Sequence, residues 1–177
     1  MKLEEVKVRL YQGKIPIISA ELVRTLINEG DIEVTDQEEV EKDVEAVLKE
    51  YLRVERLIDE EAKDRLSKMG MSYSDFSKVK KMVAKQKGFG IGEDAISYLV
   101  SQIIECFMHS AHVEEVFSDD PTLNVKMRSV LRKHMSVDED VDREVREKMK
   151  NIVEGTREWE IEYEKRKEEI KKKLKLT

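Results

Sequence analysis

One stretch of the chain occurs twice. VLKEYLRVERLIDEEAKDRL, residues 47–66, aligns without a gap on VLRKHMSVDEDVDREVREKM, residues 130–149, at an offset of 83. Val47/Val130, Leu48/Leu131, Val54/Val137, Asp59/Asp142 and Glu61/Glu144 are identical. The charge signs also agree at Lys63/Arg146, Asp64/Glu147 and Arg65/Lys148. Helical periodicity aligns apolar positions, but it gives no reason for charges to agree as well. Upstream the match continues at an offset of 81, with LVRTLI (22–27) over IIECFM (103–108) and Asp31-Ile32-Glu33 over His112-Val113-Glu114. A unit of this length exceeds the common solenoid repeats. The expectation is an all-α chain of about seven or eight helices in two pseudo-symmetric halves produced by internal duplication, with short extended connectors. Residues 1–87 form the first half with an N-terminal extension, and 88–177 the second with a basic C-terminal helix.

The local signals are as follows. Val6, Val8 and Leu10 alternate with charged residues, which predicts a short strand. Pro16 suits the start of a first helix, with Ile18, Leu22, Val23, Leu26 and Ile27 on its inner face. Thr35 with Glu38 reads as a capping box ahead of the stripe Val40, Val44, Val47, Leu48 and Tyr51. Leu52, Val54 and Leu57 fill a join to a third helix bearing Ile58, Ala62 and Leu66. Ser72 with Asp75 predicts another cap, then Phe76, Val79, Met82 and Val83 turned inward. GFGIG (88–92) is the clearest break. Ile96, Leu99, Val100, Ile103, Ile104 and Phe107 predict the most buried helix. DIEV (31–34) and VEEVF (113–117) read as extended connectors. Ser118 or Asp120 caps the next helix, which carries Leu123, Met127, Val130, Leu131 and His134. Thr156 opens the last, with Trp159, Tyr163, Ile170 and Leu174 on one face.

Composition narrows the class. Charged residues are 41% of the chain, and no run approaches the ~18 apolar residues of a membrane helix. No membrane partner is expected. The first residues lack the apolar core of a secretory signal. A single cysteine, Cys106, excludes an internal disulfide and suits a reducing, cytoplasmic setting. A net charge of −6 argues against bulk nucleic-acid binding, while leaving room for a local basic patch.

Two lysine-rich runs stand at the ends of the two copies. Lys78, Lys80, Lys81, Lys85 and Lys87 form one; Lys171, Lys172 and Lys173 lie in the other. Lysines along a helix neutralise phosphates without reading bases, so these are the candidate nucleic-acid contacts. The competing expectation is a solvated face balanced by acidic neighbours. Cys106, His109 and His112, three residues apart, are the weak candidates for a metal; a buried thiol with two surface histidines is the plainer reading. The glycines of GFGIG do not fit a dinucleotide fingerprint, so a hinge or tight turn is expected there rather than a phosphate cradle. No catalytic constellation and no cofactor motif is found.

The strings VRLYQGKIP (8–16), DIEVTD, VLKEYL, GFGIGEDAI, HVEEVFSDD, VLRKHM and EGTREWEIEY together resemble the bacterial family named domain of unknown function 507. The resemblance runs over nearly the whole chain from about Val8. It implies a bacterial cytoplasmic protein, and it brings no activity, cofactor or catalytic residue. The expectation is then a non-enzymatic protein–protein interaction or self-associating module, with nucleic-acid or ribosomal RNA backbone binding through the lysine helices as the alternative.

Overall fold

The computed structural model describes residues 8–174. It is helical apart from one pair of short strands, so the all-α expectation holds. A 3-10 turn at Gln12–Lys14 leads into α1 (Ile15–Asn28), followed by β1 (Ile32–Val34) and α2 (Gln37–Lys68). A second 3-10 turn, Tyr73–Asp75, opens α3 (Phe76–Gln86), and a third, Gly92–Asp94, opens α4 (Ala95–His109). Then come β2 (Val113–Val116), α5 (Asp120–Met135), α6 (Val137–Lys148) and α7 (Arg157–Lys173).

Packing is shared across the chain. α1 lies on α2 and α5, and α4 lies on the same two helices. α3 folds back on α2, and α7 on α6. The main apolar core runs through α1, α2, α4 and α5, with Ile18, Leu22, Leu48, Leu99, Ile103, Leu123, Met127 and Leu131 all fully buried. A smaller cluster of Tyr11, Val141, Val145, Met149 and Ile170 holds α6 and α7 to the segment before α1. The buried stripes recur where the alignment puts them. Leu48 and Leu131 are both 0% exposed, as are Val44 and Met127.

Several local expectations are corrected. α2 is one continuous helix of 32 residues, not two. Nothing between Gln37 and Lys68 breaks it, since the span holds neither glycine nor proline. Leu57 accordingly lies 47% exposed instead of filling a join. The aligned stretch does break, at Ser136, where the hydroxyl donates to the Arg132 carbonyl (2.6 Å) between α5 and α6. The cap of α2 is Asp36, accepting from Glu39 N–H (3.2 Å), because Thr35 is engaged with the His112 carbonyl. The cap of α5 is Asp119, accepting from Thr122 N–H (2.9 Å), while Ser118 turns to Asp31. Ser72 caps the 3-10 turn before α3 rather than α3 itself. Met82 faces outward, and Ala84 is buried instead. Leu174 is also half exposed. Thr156 does cap α7. Of the predicted first strand, Val6 lies outside the described residues. Val8–Tyr11 is not a strand, and it docks Leu10 and Tyr11 into the protein.

The two extended connectors pair with each other as an antiparallel ribbon, Ile32 opposite Val116 and Val34 opposite Val113. Asp31, 2% exposed, locks its end. Its carboxylate takes Lys126 Nζ (2.8 and 3.0 Å) and the Ser118 hydroxyl (2.5 Å), and its carbonyl takes Phe117 N–H (2.8 Å). Burial alone would raise this carboxyl's pKa, but Lys126 and Ser118 outweigh it and hold it below the ordinary 3.8.

Two outcomes follow. Leu48→Ala and Leu131→Ala each cost about 2–5 kcal/mol in urea denaturation, whereas Leu57→Ala stays within about 0.5 kcal/mol. The Asp31 contribution is present above its unfolded pKa and is lost as pH falls through the lower folded value. Stability of the wild type therefore drops more steeply below about pH 4 than that of Asp31→Asn, read from denaturation curves at stepped pH.

Candidate functional site

A groove about 400 Å³ in volume lies between α2 and α4. Its α2 wall is Asp43, Ala46, Val47, Glu50, Tyr51 and Val54; Tyr98, Leu99, Gln102 and Cys106 form the α4 wall, and Phe89 closes one end. The apolar positions follow from helical periodicity, but the end wall is built by the GFGIG turn. Gly88 and Gly92 both have positive φ (64° and 58°), which glycine adopts without cost. Gly90 is needed for space instead: a Cβ there would meet the Asp94 carbonyl oxygen at 2.5 Å and Tyr98 Cβ at 2.7 Å.

That close approach stacks three rings. Tyr51 and Phe89 lie face to face with centroids 4.7 Å apart, and Phe89 tilts on Tyr98 at 4.8 Å. Such pairs are worth about 0.5–1.5 kcal/mol each beyond the burial. The Tyr51 hydroxyl donates to the Gly90 carbonyl at 3.0 Å. Burial foremost, and then nearby Glu55, drive its pKa far up, so it stays a neutral phenol. At the other end Asp43 accepts from the Ser110 hydroxyl (2.6 Å). Burial and then the Asp43 charge raise the pKa of the Cys106 thiol, which makes it a poor nucleophile. Glu50 is clasped by Arg53 at 2.6 and 2.8 Å, which lowers its carboxyl pKa.

The seam between α1 and α5 has a different chemistry. Glu21 on α1 takes Lys133 (2.8 Å) and the buried His134, and Lys126 bridges Glu29 and Asp31. The side-chain bonds to His134 and Lys133 lower the Glu21 pKa. In the sequence alignment Lys126, Lys133 and His134 correspond to Asp43, Glu50 and Tyr51, and Glu21 to Gln102. One seam is filled with ion pairs; the other is open and lined with rings. His134 is packed into the α5 stripe with its ring nitrogen turned to Glu21.

The remaining candidates are dispersed. On α3, Lys80 pairs with Asp59 (2.8 Å) and Lys87 with Glu61 (3.0 Å); Lys78, Lys81 and Lys85 are exposed. On α7, Lys172 and Lys173 are exposed and Lys171 approaches Asp138 at 4.0 Å. These two helices pack on different partners, α3 on α2 and α7 on α6. Among the described residues no group of three or more His, Cys, Asp or Glu is arranged to hold a metal ion. Cys106 lines the groove, His109 is exposed, and His112 N–H donates to Ser110 Oγ (3.2 Å). Among the described residues no helix is long and apolar enough to cross a membrane. A polar depression on α6 is lined by Asp142, Arg146, Glu147 and Lys150 among others, whose charges largely pair with their neighbours.

A family model described as "Protein of unknown function (DUF507)" matches residues 8–176. The chain belongs to that family. The match bears out the resemblance carried by the sequence strings, and it starts at Val8, where those strings start. No curated protein matches the chain. Family membership assigns no chemistry to the groove, so its function has to be argued from its own residues.

Sequence reasoning missed Phe89, Tyr98 and Gly90 as parts of one site. The three-glycine turn was the available signal, because a phenylalanine between two glycines is held by backbone geometry rather than by a helix face. Gly90→Ala is expected to cost about 1–3 kcal/mol, measured by urea denaturation, because the clash is partly with backbone that cannot rotate away.

Proposed function

We propose that the chain is an internally duplicated helical module that binds another macromolecule and performs no catalysis itself, with the α2/α4 groove as its binding surface. The halves are 1–87 and 88–177, related by a rough two-fold axis through the strand ribbon. Three features support the duplication. The order helix, strand, helix occurs in both halves. The cross-packing is reciprocal, α1 on α5 and α4 on α2. The Asp43–Ser110 and Lys126–Glu29 contacts join aligned positions.

The observation that carries the functional reading is the unequal treatment of two equivalent seams. Here the α1/α5 seam is closed by Glu21, Lys133 and His134, while the α2/α4 seam is left open around Tyr51, Phe89 and Tyr98. Tyr51 and Phe89 are buried beneath the groove, and half-buried Tyr98, Val47 and Val54 line it with a few polar groups, the composition of a binding site. The reading keeps the protein in the bacterial cytoplasm. The alternative, phosphate-backbone binding through Lys78, Lys80, Lys81, Lys85, Lys87, Lys171, Lys172 and Lys173, has less support, since Lys80 and Lys87 pair with Asp59 and Glu61 within the fold.

Ala46 is exposed on the groove wall, and arginine is a good helix former there, so Ala46→Arg fills the groove without disturbing the core. Immobilised wild-type chain is expected to retain proteins from a lysate of the source bacterium that the Ala46→Arg chain does not. Identical retention by both, or none by either, would contradict the proposal.

A further inference from the structure

The groove has a length, a shape and a sign. Its α2 wall runs from Asp43 to Val54 at spacings i, i+3, i+4, i+7, i+8 and i+11. At 1.5 Å per residue that is about 16 Å, or three turns. The α4 wall, Tyr98 to Cys106, is about 12 Å long by the same measure. A volume of about 400 Å³ drawn out over that length is a trough. Large side chains projecting from one face of a helix fit such a trough better than a compact small molecule does. Both long walls are helices, so the groove offers no strand edge for an extended peptide to pair with.

The charged residues lining the trough are Asp43 and Glu50, and no lysine or arginine lines it. Arg53 takes up the charge of Glu50, but Asp43 meets only the neutral Ser110 hydroxyl among the contacts described above. Glu105, exposed on α4 between Gln102 and Cys106, adds negative charge to that wall. The closed seam shows what such acids pair with inside this fold. There Glu21, Glu29 and Asp31 are met by Lys126 and Lys133, which project from an amphipathic helix laid alongside. The open seam carries Asp43 where the closed one carries Lys126, and no cation of α2 or α4 is paired with Asp43 among those contacts.

On the groove reading above, we infer that the occupant is an amphipathic helix of a separate protein, about three turns long, with large apolar side chains at i, i+4 and i+7 and lysine or arginine beside them. The apolar side chains enter against half-buried Val47, Val54 and Tyr98, over the buried Tyr51 and Phe89. The cations lie along the Asp43 and Glu105 side.

The test is selection from a displayed library of random peptides on a helical scaffold of about five turns, using the full wild-type chain as bait and Ala46→Arg as counter-bait. The expected winners carry the apolar stripe with flanking lysine or arginine. Replacing those cations by glutamate weakens binding about tenfold or more, and Asp43→Lys bait removes the preference. Winners that depend on Ala46 but show no basic bias would overturn the basic-helix occupant and leave the groove reading standing. No winner distinguishing the two baits would overturn both. Sedimentation velocity of the same two proteins supplies the remaining outcome: self-association of the wild type that Ala46→Arg abolishes would make the occupant a second copy, and would overturn a separate partner.

Discussion

The most apolar helix of the chain cannot be covered by its sequence neighbours alone. α4 turns Ile96, Leu99, Val100, Ile103 and Phe107 inward, each worth about 1.5–3 kcal/mol when buried. α5 covers part of that surface and α2 covers another. α1 is in the same position, lying on both α2 and α5. The apolar surface is thus closed only when all four helices are present. The ribbon of β1 with β2 and the Asp31–Lys126–Ser118 cluster then fix how the two proposed halves meet.

This arrangement creates two helix seams, α1 with α5 and α2 with α4, and their chemistry differs. At the α1/α5 seam, acids on one helix meet cations on the other. At the α2/α4 seam a glycine turn brings Phe89 between two tyrosines, the Tyr51 hydroxyl is spent on the Gly90 carbonyl, and a trough remains. Tyr51 and Phe89 are themselves buried and stacked on each other, so the floor of the trough is fixed by packing within the fold. A preformed apolar surface loses less side-chain freedom on binding.

Much of the fold was legible in the sequence and the site was not, for related reasons. Apolar stripes at helical spacing located the helices, although α2 was read as two, and the all-α class followed. Glycine and proline placed the principal breaks, and the absence of both between Gln37 and Lys68 should have argued for one long helix there. Caps were misplaced by single residues because Thr35 and Ser118 had partners distant in sequence, His112 and Asp31. The strand pairing was invisible for the same reason, since each strand was legible and its partner was not. Phe89, Tyr98 and Tyr51 come from three different elements, and no periodicity relates them. The lysine runs stood out in the sequence, but the acids that neutralise Lys80 and Lys87 lie on α2.

If neither half can close its core alone, the two should unfold together. Native-state hydrogen exchange on the full chain tests this residue by residue, because amides released in one global event share one opening free energy and one denaturant dependence. The slowest amides around Leu22 and Leu48 are expected to merge with those around Ile103 and Leu131 on a single isotherm. A separate, lower plateau for either set, with the other still protected, would mean the halves are independent and would contradict the shared core.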